Sequence, residues 1–369
     1  MPALHEIPLA SVPQDRLLAL GRTNGSLAPL SLFWTGSGLE LNVKAGELWL
    51  EVETDFSALE QWAAVVVNGA VISRQMLPAG RHWLCLFRGM DGGKVKNVRL
   101  LKEVQAMPHD PKARLQIHAL RTDGSLEPVP QRPYKLEFVG DSITSGEGLT
   151  GAKREEDWIP MFFSAAYGYA VATADACHAD FRILSQSGWG VRSSWDNDPN
   201  QAIPKVYTKV CGPLDNAEGR ALGAMEENDF AAWQPDAVIV NLGTNDGGAV
   251  NQPVWTDPAT GEGFRQTADE PGREAFIQAA VSFLKLLREK NPGAYLLWAY
   301  GMAGRDMAGP IREAVARYQI KTGDQRASFL LLPDTDDDTV GSRQHPGQKA
   351  HSRAAALLAD TLKTILEGR

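Results

Sequence analysis

Lys135-Leu136-Glu137-Phe138-Val139-Gly140-Asp141-Ser142-Ile143-Thr144 reads as an apolar strand that ends in a Gly-Asp-Ser turn. Small residues permit a sharp exit from the strand. The Ser142 hydroxyl can then face a cleft while nearby backbone N–H groups face a developing oxyanion. Gly-Asp-Ser by itself also describes a helix N-cap or a plain turn, because Asp and Ser are preferred there. Its weight comes from the segments around it.

Downstream, strand-like runs at Leu136–Val139, Arg182–Leu184, Ala237–Leu242, Ala294–Ala299 and Ser328–Leu332 alternate with helical stretches at Glu274–Lys290, Ile311–Ile320 and Gln348–Glu367. That alternation predicts an α/β domain, a parallel sheet covered by helices in three layers. Ligands of such sheets bind at the carboxyl ends of the strands, where Ser142 falls. Upstream the period changes to that of half-buried strands, with Leu39, Leu41 and Val43, then Leu48, Leu50 and Val52. Asn68-Gly69 between two β-branched runs is a hairpin signal, and His82–Phe87 and Leu115–Leu120 add further strands. Many short strands with polar turns predict an all-β, jelly-roll-like sandwich. Turn formers and prolines fill residues 123–133. The expected organisation is therefore a sandwich over 1–122, a linker over 123–133 and the α/β domain over 134–369.

The chain has 369 residues, enough for two cores, and a net charge of -8, which argues against nucleic acid or an anionic membrane as the main partner. Residues 1–8 lack the basic start and apolar run of a secretory signal, and no segment reads as a bilayer span, so a cytoplasmic protein is expected. Cys85, Cys177 and Cys211 are odd in number and widely spaced, which fits packed, reduced thiols better than a disulfide framework or a zinc site.

Three further segments sit where strand ends are predicted. After Ala237–Val240 comes Asn241-Leu242-Gly243-Thr244-Asn245-Asp246, whose Asn245 amide can donate to an oxyanion. After Leu184 comes Ser185-Gln186-Ser187-Gly188-Trp189-Gly190, two glycines whose N–H groups can approach a ligand closely. Gln344-His345-Pro346-Gly347 precedes a helical stretch containing His351. Each alone has a plainer reading, as a turn or a surface histidine.

Together, in the order Ser, Gly, Asn, His, they resemble the blocks of the SGNH (GDSL-type) hydrolases, from about Lys135 to the C terminus. The resemblance implies Ser142 as nucleophile and His345 as general base. It also implies an oxyanion hole of the Ser142 N–H, the Asn245 side chain and a block-two glycine, Gly190 by spacing with Gly188 as the fallback. It calls for no metal and no cofactor. One position departs from the pattern: the acid usually found three residues before the histidine is Ser342 here. Either a backbone carbonyl near Ser342 or Arg343 orients His345, or one of Asp336, Asp337 and Asp338 folds back.

A sandwich followed by this hydrolase domain, with Phe33-Trp34-Thr35-Gly36-Ser37-Gly38 in the first and Ser187-Gly188-Trp189-Gly190 and His345-Pro346 in the second, resembles carbohydrate esterase family two. That family removes acetyl groups from plant polysaccharides such as xylan and mannan, and some members replace the acid with a main-chain carbonyl. The implied partner is an acetylated oligosaccharide, imported if the chain stays in the cytoplasm. Trp189, Trp195 and Trp255, the last within the long connection 247–272, are candidate sugar platforms. The competing readings are an esterase of the same type on another small acyl ester, and a carbohydrate-binding protein with no catalysis. The latter has no need of a nucleophile beside a base.

Overall fold

The computed structural model describes residues 3–368, which cluster into two compact units. The first runs to Arg132 and takes in Ile159–Met161 and Lys209–Asn228. Its strands are β1 (His5–Pro8), β2 (Leu18–Leu20), β3 (Leu30–Ser31), β4 (Gly38–Lys44), β5 (Glu47–Asp55), β6 (Gln61–Val67), β7 (Ala70–Leu77), β8 (Gly80–Arg88), β9 (Val95–Lys102), β10 (Arg114–Thr122) and β11 (Ser125–Glu127). They form two antiparallel sheets, ordered β1-β10-β5-β8 with β3 on β10, and β11-β4-β9-β6-β7 with β2 on β4. Alternation makes this a sandwich: along β5, Leu48, Leu50 and Val52 are buried while Trp49, Glu51 and Glu53 lie half-buried on the other face. The β6–β7 turn has Asn68 at φ 51° and Gly69 at φ 83°, the paired left-handed conformation that a tight hairpin demands.

The first unit ends later than the sequence predicts. Residues Ser125–Glu127, expected in the linker, pair with Lys44–Asn42 of β4, and Arg132 donates to both carboxylate oxygens of Glu40 at 2.7 and 2.9 Å. The segment Lys209–Asn228, with its short helix at Ala217–Ala221, also belongs here. The indole Trp34 Nε1 donates to the Val210 carbonyl at 2.7 Å, and Arg114 pairs with Glu218 at 3.0 Å. No local pattern announces such long-range bonds.

The second unit holds β12 (Tyr134–Gly140), β13 (Ala179–Ser185), β14 (Ala237–Asn241), a small hairpin of β15 (Trp255–Thr256) and β16 (Gly263–Phe264), β17 (Tyr295–Tyr300) and β18 (Ala327–Leu331). Its helices, with the one at Ala217–Ala221 counted as α4, are α1 (Ser142–Ser145), α2 (Tyr169–Ala176), α3 (Ile203–Val206), α5 (Thr244–Ala249), α6 (Glu270–Lys290), α7 (Ala308–Thr322) and α8 (Gln348–Glu367). The main sheet is parallel, in the order β13-β12-β14-β17-β18. The chain steps one way from β12 to β13 and the other way from β14 onward. Right-handed crossovers therefore put α2 on one face and α6 and α7 on the other, and α8 packs against α2 to complete three layers. Both faces being covered, every residue of β14 is buried, which explains its unbroken apolar run. Among the described residues no helix is long and apolar enough to cross a membrane.

The register fixes where the strands end. Gly140 lies level with Ser185 on one side and with Asn241 on the other. A Cβ on Gly140 would fall 1.9 Å from Thr144 Oγ1 and 2.9 Å from the Asn241 carbonyl oxygen. Gly140→Ala is accordingly expected to cost ~1–3 kcal/mol through overpacking, measured as a lowered midpoint in chemical denaturation. An unchanged midpoint would contradict this close approach.

Candidate active site

Ser142 opens α1, a single turn directly after β12. The Asp141 side chain caps that turn by accepting from the Ile143 N–H at 3.0 Å, and Gly146 closes it in the left-handed region at φ 73°. As the first helical residue, Ser142 presents an N–H with no intrahelical acceptor, and its side chain reaches the surface with 8% of the residue exposed.

His345 comes from the other end of the chain. Its Nε2 lies 2.9 Å from Ser142 Oγ, and its Nδ1 lies 2.9 Å from the carbonyl oxygen of Arg343. A carbonyl only accepts, so Nδ1 carries the proton and Nε2 is left to accept the serine hydroxyl. This is the tautomer a general base requires. Two of the three alternative orienters are occupied elsewhere: Asp336 Oδ1 accepts from Thr339 Oγ1 at 2.8 Å and Asp336 Oδ2 from Arg353 at 3.0 Å, while Asp337 pairs with Lys153 at 2.9 Å; Asp338 is exposed. Bringing the Arg343 carbonyl back to a ring two residues later needs an unusual backbone, with Arg343 at φ 53° and Gln344 at φ 57°. Bonds from Ser342 N–H to the Gly148 carbonyl at 3.0 Å, Arg343 N–H to the Glu155 carbonyl at 2.8 Å and Gly341 N–H to the His345 carbonyl at 2.7 Å hold it.

The Asn245 amide, on the first turn of α5, donates to the Trp189 carbonyl at 3.0 Å and to Asp141 Oδ2 at 3.2 Å. Burial pushes the Asp141 carboxyl up to about 7, against the pull of the Ile143 N–H. These contacts bring the Asn245 side chain to the loop after β13 and to the residue before Ser142.

The two glycines of that loop differ. The Gly190 N–H, the oxyanion donor that spacing assigns, donates to the Ser193 carbonyl at 2.9 Å. Glycine is needed there for another reason, since a Cβ would meet Asp246 Oδ2 at 2.4 Å. Gly188, at φ 79°, has an N–H with no acceptor among the described residues. Asp246, which the sequence analysis did not single out, ties down the loop. Its buried carboxylate accepts from the N–H groups of Val191 and Arg192 at 2.8 and 2.9 Å and from Gln266 Nε2 at 3.1 Å. Burial raises its pKa, opposed by those donors. Gln266 also donates to Ser193 Oγ at 2.7 Å, so the connection 247–272 is stitched to this loop and carries the β15–β16 hairpin.

The tryptophans separate by exposure. Trp189 is 7% exposed and offers no open ring, whereas Trp195 is 51% exposed and donates its backbone N–H to the Gly188 carbonyl at 2.8 Å. Trp255 is half-buried in the small hairpin. A second residue absent from the sequence argument is Glu147, whose Oε1 lies 3.7 Å from His345 Nε2 and 3.1 Å from Arg343 Nε. Its position between Gly146 and Gly148, directly after the serine turn, is the one local signal for it.

His351 is a packing residue. It is buried, accepts the Tyr169 N–H at Nδ1 over 3.1 Å and stacks on the Tyr169 ring at 5.8 Å. Burial and the neighbouring His345 push its pKa down to about 3.

A profile of the GDSL-like lipase/acylhydrolase family matches residues 138–353, from the strand before Ser142 to beyond His345. The chain belongs to that family. Among solved structures this acylhydrolase is 44% identical to an acetyl xylan esterase, Est2A, from the rumen bacterium Butyrivibrio proteoclasticus, covering 99% of each chain with a TM-score of 0.97. It shares the fold of a family two carbohydrate esterase from Clostridium thermocellum, with a TM-score of 0.79 over 95% of this chain and 99% of that one at 23% identity. Among curated relatives it is 24% identical to an acetylxylan esterase / glucomannan deacetylase of Cellvibrio japonicus, across 100% of this chain and 93% of that protein. It is also 24% identical to the cellulase/esterase CelE of Acetivibrio thermocellus, of which it spans 37%.

Two outcomes are expected from this geometry. Asn245→Ala should lower kcat about a hundredfold or more while leaving a cooperative thermal melt; a kcat within a few-fold of wild type would remove the amide from the oxyanion hole. The unfolded-state pKa of His351, 6.5, exceeds the folded value of about 3, so the unfolded chain binds more protons between them and stability drains as pH falls through that window. Asp141 works in the opposite sense between 3.8 and about 7. The His351 contribution is therefore read as a difference: melting temperatures of wild type and His351→Gln should converge as pH drops below 6.5, and parallel curves would refute it.

Proposed function

We propose that this chain is a carbohydrate O-acetyl esterase that removes acetyl groups from oligosaccharides of plant polysaccharides, xylan or mannan, through an acetyl-enzyme. The observation that carries the reading is the single imidazole bonded at one nitrogen to the Ser142 hydroxyl and at the other to a peptide carbonyl, each over 2.9 Å. In the proposed reaction His345 Nε2 takes the proton as Ser142 Oγ attacks the acetyl carbonyl. The resulting oxyanion is held by the Ser142 N–H, the Gly188 N–H and the Asn245 amide, which exchanges its longer bond, to Asp141 Oδ2 at 3.2 Å, for the oxyanion. As the intermediate collapses and the bond between the acetyl carbon and the sugar oxygen breaks, His345 gives the proton to that oxygen, which leaves as the sugar hydroxyl. Water, deprotonated by the same nitrogen, attacks the acetyl-serine, and acetate leaves with Ser142 and His345 restored.

The substrate side rests on the relatives named for acetylated xylan and glucomannan and on the exposed Trp195 ring beside Gly188. An indole face of this kind suits the axial C–H surface of a sugar. An acetyl group needs little room, in keeping with a serine that is only slightly exposed.

Acetate release from acetylated xylan and mannan oligosaccharides, with wild type beside Ser142→Ala, tests the proposal. Release should fall to background in Ser142→Ala, and the faster of the two substrates identifies the sugar. No release from either by folded wild type would overturn the carbohydrate assignment, and full activity in Ser142→Ala would overturn the serine mechanism.

A further inference from the structure

A peptide carbonyl can orient an imidazole, but it brings only a dipole to the imidazolium that forms when the serine proton is taken. The usual acid three residues before the histidine is Ser342 here, whose hydroxyl is directed at the Gly148 carbonyl 3.4 Å away. A full negative charge nevertheless stands beside the ring. Glu147 Oε1 lies 3.7 Å from His345 Nε2, on a side chain that is 5% exposed. That nitrogen is the one bonded to Ser142 Oγ, so the carboxylate is placed where the positive charge develops, on the opposite edge of the ring from the usual acid.

The surroundings hold Glu147 there. It sits between Gly146 at φ 73° and Gly148 at φ 70°, two left-handed residues that reverse the chain immediately after α1. A Cβ on Gly148 would come within 3.0 Å of His345 Cβ, so the segment bearing Glu147 is seated against the histidine loop. Arg343 clamps the carboxylate from that loop, with Nε 3.1 Å from Oε1 and Nη1 donating to the Glu156 carbonyl at 2.9 Å. Arg343 thus acts twice, its carbonyl on His345 Nδ1 and its guanidinium on Glu147. At 3.7 Å the contact to Nε2 is too long for a hydrogen bond, so Glu147 does not compete with Ser142 for that nitrogen.

We infer that Glu147 is a positioning residue for the reaction: its carboxylate supplies the charge that stabilises the His345 imidazolium, in place of the acid missing at Ser342, and Arg343 sets its strength. The inference rests on the serine–histidine reading above. The charged and titratable groups around His345 are Glu147, Arg343, the Asp141 carboxyl before Ser142 and His351, which burial keeps neutral. Glu147→Gln removes the anion and leaves the guanidinium unopposed, so His345 becomes a weaker base. Arg343→Gln leaves the anion undivided and keeps the main-chain carbonyl, so His345 becomes a stronger one.

The test is the pH dependence of kcat/KM for p-nitrophenyl acetate, in which the acid limb follows His345. Glu147→Gln should lower kcat about tenfold with KM within about twofold, and move the acid limb down by about half a pH unit or more. Arg343→Gln should move the limb up, and Glu147→Asp should recover part of kcat. A role confined to packing would not move the two limbs in opposite directions. The same shift is read without turnover by NMR titration of the His345 ring in Ser142→Ala, with and without Glu147→Gln; Arg343→Gln, which should move the titration up, serves as the second background if Glu147→Gln does not fold. A His345 pKa that is the same in both backgrounds overturns the inference. Wild-type activity in Ser142→Ala overturns the serine–histidine reading instead, so the two failures are told apart.

Discussion

Parallel pairing of β12 between β13 and β14 is the constraint on which the site depends. Hydrogen bonding sets Gly140 level with Ser185 and Asn241, so three strands stop at one height and three loops leave side by side. The chain must turn sharply at each exit, and the close approach at Gly140 leaves no room for a Cβ. The Ser142 turn, the Gly188 loop and the Asn245 turn are thereby brought together with no direct adjacency in sequence. Asn245 bonds the other two, through the Trp189 carbonyl and the Asp141 carboxyl. The meeting of these three loops is in this sense a property of sheet register before it is a property of individual side chains.

The histidine reaches the site by a different route. It sits on an irregular turn, just before α8, whose backbone occupies the left-handed region at two successive non-glycine residues. Such conformations cost of order 1–3 kcal/mol each and persist only where surrounding bonds hold them. Here those bonds go to the segment that follows the nucleophile, through the carbonyls of Gly148 and Glu155. Ser142 and His345 are therefore anchored to the same stretch of chain from opposite sides, which fixes their separation while leaving the ring partly exposed.

Much of this was legible in the sequence, for identifiable reasons. Buried parallel strands write themselves as apolar runs, as in Ala237–Val240, and a sandwich writes itself as alternation, as in Leu48, Leu50 and Val52. Ser142, Asn245 and His345 stand next to such runs or next to a helix start, so their neighbourhood is predicted along with them. What escaped depends on contacts that composition does not encode. Strand β11 is recognisable only once β4 is there to receive it. Spacing cannot distinguish Gly188 from Gly190, because the difference lies in the Ser193 carbonyl that takes one N–H and the Asp246 carboxylate that crowds the same residue. Glu147 gains its meaning from Arg343, 196 residues away along the chain. Trp189 and Trp195 look equivalent as letters and differ by the burial of one ring.

The bond from His345 to the Arg343 carbonyl has a consequence for how this enzyme can change. The orienting group of a side-chain triad can be lost by one codon and is found by any alanine scan. Here it belongs to the main chain, so every amino acid that tolerates the left-handed turn supplies the same oxygen. As an orienting group the carbonyl is silent to side-chain substitution so long as the fold keeps its shape, and the Arg343 side chain enters only through its bond to Glu147. Only an edit of the peptide unit itself, or a residue such as proline that forbids the turn, would expose it.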